Sequence, residues 1–182
     1  MREPMDRQNR RATPVKTLAR LMLVPALLAA AAALVAASGL LDFSASNPPT
    51  WIEEKAARFA LNRSIERHAP RRSNPLAASP AETAAGLALY RAHCVGCHGA
   101  PGVDPTDEGA SLNPPAPGLT LPRVQARSDG QLFWIVSHGI RMTGMPSFSP
   151  PRTEREIWQL VAALRRLPSL SGAERRAMGA ER

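Results

Sequence analysis

Five consecutive residues, Cys94-Val95-Gly96-Cys97-His98, carry the chemistry of this chain. Two cysteines two residues apart, followed at once by histidine, form the attachment sequence of c-type haem. Each thiol can add across one haem vinyl group to give a thioether. On one turn of chain, Cys94 and Cys97 are spaced to reach both vinyls. The next residue, His98, is then carried under the iron, where its imidazole can coordinate. Gly96 leaves room where the chain passes close to the macrocycle. The chain holds 2 cysteines in all, so no other pair competes for a disulfide. A zinc site needs about four ligands; no second cysteine pair supplies them, and His68, His93 and His138 stand at no matching zinc spacing. A thioredoxin-like dithiol belongs in a βαβ pattern, which is absent around Cys94.

With four iron positions taken by the macrocycle and one by His98, one axial position remains. The candidates lie in Ile140-Arg141-Met142-Thr143-Gly144-Met145-Pro146-Ser147-Phe148. A thioether there raises the potential and suits electron transfer. Met145 is the better candidate, because Gly144 and Pro146 place it in a stiff non-helical turn. Met142 is the runner-up. His138 is an alternative ligand, although as a helix-end histidine it can be satisfied by solvent or backbone. A buried methionine is more often plain core filler, and the haem motif upstream is what weighs against that here. The imidazole also needs an acceptor for its second ring nitrogen. A backbone carbonyl near Pro114 or Pro115 is the candidate.

Helices must position these groups. Ser79-Pro80-Ala81-Glu82 is a helix start, with Ser as cap, Pro in the first turn and Glu three residues on. That helix should run through Gly86 and Tyr90, which share a face, into the haem motif. From Gly99 to Pro122 the chain is broken by Pro101, Pro105, Pro114, Pro115, Pro117 and Pro122. No regular element is expected there, and wrapping the haem edge gives so long a loop its reason. Ser128-Asp129-Gly130-Gln131 opens a short helix ending near Gly139. Thr153-Glu154-Arg155-Glu156 opens the last long one, whose Ile157, Leu160, Val161 and Leu164 repeat at helical spacing. That stripe should cross the first haem-domain helix near Gly86 and Tyr90, and Pro168 should end it. Trp134 and Trp158 read as core and haem-edge packing.

The first eighty residues differ in character. Leu21 to Leu41 runs 21 residues without a charge, about 31 Å of helix and enough for a bilayer core. The basic stretch before it (residues 1–20) places the N-terminus in the cytoplasm and the remainder in a periplasm-like compartment. Haem attachment suits that compartment, since it requires both thiols free there. Ala36-Ala37-Ser38 keeps a cleaved signal peptide open as the rival reading. After Pro48-Pro49, Thr50 to His68 reads as a helix with a Thr50/Glu53 capping box. Trp51, Ile52, Ala56, Phe59 and Ala60 approximate one apolar face, and Lys55, Arg58, Arg63 and Arg67 populate the rest. This helix could lie on the membrane surface, or Trp51 and Phe59 could pack on the haem domain or a partner subunit. Ala69 to Ser79 reads as a proline-rich linker.

The formal net charge is +8. Residues 1–78 hold 12 Lys/Arg against 6 Asp/Glu, and residues 79–182 hold 11 against 9. The basic excess therefore flanks the apolar span, which makes nucleic acid a poor explanation for it. Aromatics are 4%, too few to build a small core easily. A covalent haem would supply the missing apolar mass.

The set CVGCHGAPG, NPPAPGL, LFWIVSHGIRMTGMPSF and EIWQLVAALRRLP, in that order, resembles the class I cytochrome c family, closest to membrane-anchored monohaem members of bacteria. The resemblance covers residues 79–168. It implies an all-α fold of three to five helices around one haem c. It implies Cys94 and Cys97 as covalent anchors, His98 and Met145 as axial iron ligands, and one-electron transfer without substrate chemistry. The expected organisation is a basic N-terminus (1–20), a transmembrane anchor (21–41), an amphipathic helix and linker (42–78), a haem domain (79–168) and a polar tail (169–182). The chain would sit in a bacterial inner membrane as a single-pass protein, haem domain in the periplasm, with redox proteins as partners and no small-molecule substrate. A subunit of a larger dehydrogenase or oxidase complex is the alternative. An open-iron enzyme or sensor is another, and it requires Met145 to be unbound.

Overall fold

A computed structural model of the chain describes residues 14–179. Most of the basic stretch expected over 1–20, and the last three positions of the expected tail, lie outside the described residues. The described residues are helical, with no strand among them. They divide into two units, one ending at Ser44 and the other beginning at Ala45.

The first unit is helix α1, Pro14–Ala37. It is the one helix among the described residues that is long and apolar enough to cross a membrane, judged by length and composition. The uncharged run continues to Leu41, but the helix stops at Ala37. Gly39 adopts φ +73°, a left-handed conformation that ends a helix readily.

The second unit holds α2 (Trp51–His68), α3 (Pro80–His93), α4 (Val95–His98), α5 (Asp107–Ser111), α6 (Pro122–Gln125), α7 (Asp129–His138), α8 (Glu154–Arg166) and α9 (Gly172–Ala177). Local chemistry sets most of the starts. Thr50/Glu53, Ser128/Gln131, Thr153/Glu156 and Ser171/Glu174 are complete capping boxes, and the Ser79 hydroxyl accepts from the Glu82 amide at 3.3 Å. Each cap contributes about 1 kcal/mol. Pro168 does not continue α8, and residues 167–169 tighten into a 3-10 turn.

The core is the crossing of α3 and α8. Ile157, Leu160, Val161 and Leu164 are buried, as the spacing predicts, and so is Trp158, at 2% exposure. A Cβ at Gly86 would collide with the Gln159 carbonyl, so the two backbones approach as closely as glycine allows. Glu82 fastens the pair at the surface, accepting from Gln159 Nε2 at 2.6 Å and pairing with Arg155. Trp158 stacks on Phe133 with ring centroids 4.3 Å apart, which joins α7 to α8. Leu170 and Met178 also enter this core, so the stretch expected as a polar tail closes one side of it.

The segment expected as a linker is also packed. Asn74 is 6% exposed. Its Nδ2 donates to the Trp158 carbonyl and its backbone N–H to Asp129 Oδ2, both at 2.9 Å. Asn74 thereby satisfies groups on two helices, one through its side-chain amide and one through its backbone N–H, a pairing that proline-rich composition does not reveal. Helix α2 is fastened by its second half. Ile65 is fully buried, Arg127 donates to Asn62 Oδ1 at 2.9 Å, and His68 stacks against Trp134. Its first half leaves Trp51 and Phe59 67% and 69% exposed, so these two do not pack on the haem domain.

Replacing Gly86 by Ala forces α3 and α8 apart. The expected loss is about 1–3 kcal/mol, read as a lower denaturation midpoint of the mature protein; an unchanged midpoint would contradict the close crossing.

Candidate functional site

Helix α3 ends at His93, and the chain turns at Cys94 into the single helical turn α4. Cys94, Cys97 and His98 are thus delivered together on the end of the best-packed helix. Both cysteines are unpaired and partly exposed. Burial pushes the Cys94 thiol up to about 12, with a smaller contribution from Cys97. A redox dithiol needs the opposite shift, toward a reactive thiolate, which weighs against that reading of the motif.

His98 Nδ1 lies 2.8 Å from the Pro117 carbonyl oxygen. A carbonyl only accepts, so Nδ1 carries the proton and the Nε2 lone pair is left for a metal. Burial holds the imidazole below its ordinary range, against an opposing effect of the Pro117 bond. The ring is therefore neutral near pH 7, the form that ligates. The acceptor is Pro117, where a carbonyl near Pro114 or Pro115 is expected, two residues beyond the second of them. Which carbonyl of a proline-rich loop meets the ring depends on how the loop folds, and composition does not fix that.

The stretch from Gly99 to Pro122 was expected to hold no regular element. It contains α5, a turn capped by the Thr106 hydroxyl accepting from the Gly109 amide at 3.1 Å. This small helix braces the haem-motif turn. Thr106 Oγ1 donates to the Gly96 carbonyl, and a Cβ at Gly109 would collide with the Cys97 carbonyl. Only the Thr106/Gly109 spacing hints at it in sequence. Tyr90, buried in α3, donates to the Gly99 carbonyl at 2.8 Å, while Gly99 itself sits at φ +73° against Asp104. Gly96 has no protein atom within 4 Å of where a Cβ would stand. Against protein backbone, the glycines of this turn that close approach requires are Gly99 and Gly109.

Met145 lies in the loop after α7, half-buried and packed against the hydrophobic core. Its loop is closed by backbone groups and the Thr143 hydroxyl. Ile140 N–H donates to the Met145 carbonyl at 3.2 Å, the Met145 N–H to Thr143 Oγ1 at 3.1 Å, and Thr143 Oγ1 to the Ile140 carbonyl at 2.7 Å. Phe148 and Ser149 then return to the Val136 and Ser137 carbonyls at the end of α7. Met142 takes φ +60° and is 86% exposed. His138 is exposed, with Nδ1 donating to the Trp134 carbonyl at 3.0 Å and its ring stacked on Trp134, a helix-end histidine satisfied by backbone.

These residues suit a haem c. Two free thiols and a neutral imidazole share one turn. Around the core, Leu89, Val95, Leu119, Val124, Phe133, Met145 and Phe148 remain only partly covered by protein, an apolar rim of the kind a flat macrocycle would cover. No group of three or more His, Cys, Asp or Glu able to hold a bare metal ion occurs among the described residues. Removing the Tyr90 hydroxyl leaves the buried Gly99 carbonyl without its donor. Tyr90→Phe should therefore cost about 1–3 kcal/mol, measured by denaturant unfolding of the mature protein; a cost near zero would remove Tyr90 from the support of the motif.

A comparison with curated proteins finds no match. Residues 81–162 match the family model described as cytochrome C oxidase, cbb3-type, subunit III. The matched stretch runs from the first turn of α3 into α8 and takes in the Cys94–His98 turn, the Pro117 loop and the Met145 loop. An all-helical unit with these features, matched over that stretch, is a class I c-type cytochrome domain, the module that binds haem c and transfers electrons through its iron.

Proposed function

We propose that the chain is a membrane-tethered one-electron carrier holding a single haem c. In this reading Cys94 and Cys97 would carry the thioethers, and His98 and Met145 would ligate the iron. The observation that carries this reading is the hydrogen bond from His98 Nδ1 to the Pro117 carbonyl. It fixes the tautomer, orients the ring and makes Nε2 the better donor.

Haem c supplies an iron that takes up one electron and gives it back. The residues of the chain tune and protect that exchange. The Pro117 carbonyl holds the imidazole. Thr143 and Ile140 hold the backbone of Met145, whose thioether favours the reduced state and raises the potential. The core formed by Tyr90, Leu132 and Leu164 excludes water from one side of the site. With His98 and Met145 as its ligands, the iron would have no place for a substrate.

Helix α1 is the tether in this reading, crossing a bacterial inner membrane once, with the haem domain in the periplasm. Tethering keeps the carrier at high local concentration beside its redox protein partners. A second reading has one observation in its favour: the matching family is described as an oxidase subunit. In that reading the chain resides in a larger complex. Extraction in mild detergent separates the two, since a carrier runs alone and a subunit travels with partners at fixed stoichiometry.

Met145→Ala tests the ligand set. The variant should lose the weak thioether-to-iron absorption of the oxidised protein, bind carbon monoxide when reduced, and show a lower midpoint potential. Met142→Ala should change none of these. A Met145→Ala spectrum identical to that of the unaltered protein would overturn the assignment.

A further inference from the structure

Helix α2 has two opposite faces with different fates. Ile65 is fully buried, and Leu61 and His68 lie on the same side by helical spacing. That face is fastened to the haem domain through the Arg127–Asn62 bond and the His68–Trp134 stack. The opposite face begins with Ile52 and continues through Ala56 to Phe59, at i, i+4 and i+7. Ile52 and Phe59 are 59% and 69% exposed, and Trp51, beside them in the first turn, is 67% exposed. None of these three supports the fold. Helix capping does not explain them either, because the Thr50/Glu53 box does that work.

We propose that this face rests on the surface of the lipid bilayer that α1 enters, with Ile52 and Phe59 dipping into the headgroup–acyl boundary and Trp51 at its polar edge. The inference rests on the tether reading of α1. Its first support is chain length. Only residues 38–44 separate α1 from Ala45, and eight fully extended steps reach at most about 28 Å. Asn113 Nδ2 then donates to the carbonyls of Asn47 at 2.8 Å and Ala45 at 3.3 Å, so the segment leading into α2 is pinned to the haem domain rather than free to extend. Ala45, five residues before Thr50, therefore lies within about 28 Å of the end of α1.

The second support is chemistry. Isoleucine and phenylalanine on one side of a helix, with a tryptophan exposed in its first turn and cations beside them, suit a headgroup region. Lys55 lies between Trp51 and Phe59 around the helix, its Nζ 5.1 Å from the Trp51 ring, and Arg63 follows Phe59 by one turn. The acidic residues of α2 are engaged within it: Glu53 in the cap, Glu54 with Arg58 and Glu66 with Arg63. The third support is size. Three large side chains fall well short of the roughly 800 Å² per partner that a stable protein interface buries, whereas a helix already tethered at the membrane needs far less. The consequence is orientational: α2 is locked to the haem domain on one side, so a membrane contact on the other fixes which side of the domain faces away from the bilayer.

The test uses the full-length, haem-loaded chain in vesicles of phosphatidylcholine and phosphatidylglycerol. In that protein the native thiols are consumed by haem attachment, so an introduced cysteine takes a nitroxide label alone. Ile52→Cys and Phe59→Cys report on the proposed face, Arg123→Cys on an exposed site elsewhere in the domain, and Leu28→Cys on α1. Relative accessibility to oxygen over a water-soluble nickel chelate should be several-fold higher at Leu28, Ile52 and Phe59 than at Arg123. Leu28 in the bilayer with Ile52 and Phe59 indistinguishable from Arg123 would overturn the surface contact and leave the tether standing. An aqueous Leu28 would overturn the tether, and this inference with it. Strong spin–spin broadening between Phe59 labels would assign the face to a second copy of the chain and overturn the lipid contact.

Discussion

At Gly86 the space where a side chain would stand is filled by the Gln159 carbonyl. The rest of the haem domain depends on this contact. Because α3 lies flush against α8, Tyr90 one turn later is buried and its hydroxyl reaches Gly99 beyond the haem motif. The Cys94–His98 turn is therefore held from both ends, by the helix that precedes it and by the tyrosine that spans it. Helix α8 in turn binds the other elements. Arg165 bonds to Asp129 Oδ1 at 2.8 Å and to the Gln125 carbonyl at 2.6 Å, and Gln125 Nε2 bonds to the Leu119 and Leu164 carbonyls. One close helix crossing thus orders α6, α7 and the loop that carries Pro117.

The site rests on backbone carbonyls more than on charged side chains. Pro117 orients His98, Gly99 receives Tyr90, Gly96 receives Thr106, and the Met145 loop closes on Ile140 and Val136. A carbonyl in a proline-stiffened or hydrogen-bonded loop moves little and adds no net charge. That suits a centre whose charge changes by one unit in each cycle, since few dipoles need to reorganise around it. Some charged pairs, such as Arg72–Glu154 and Arg63–Glu66, stay at the surface, where they contribute little to stability.

Legibility in the sequence followed the range of the interaction. Capping boxes span three residues and were readable at Thr50, Ser128 and Thr153. The apolar stripe of α8, and the Gly86/Tyr90 face it crosses, were readable because helical spacing repeats. The four residues by which α1 falls short of Leu41 turn on the conformation of Gly39, which an uncharged run conceals. Helix α5 was missed because five residues carry no period. Asn74 and the Asp129–Arg165 pair were missed because their partners lie 36 to 84 residues away, and long-range polar pairing leaves no local pattern. Leu170 and Met178 were lost in a stretch whose charge outweighed them. For His98, the sequence indicated a proline-loop carbonyl but not its register.

The proposed function requires this fold to be built around one covalently held haem at the Cys94–His98 turn. The most direct measurement is the intact mass of the protein, made in a host able to attach haem c and then extracted with acidified acetone. The expected species is heavier than its polypeptide by a single haem, with both thiols blocked to alkylation. A polypeptide of unmodified mass with two alkylatable thiols would contradict it.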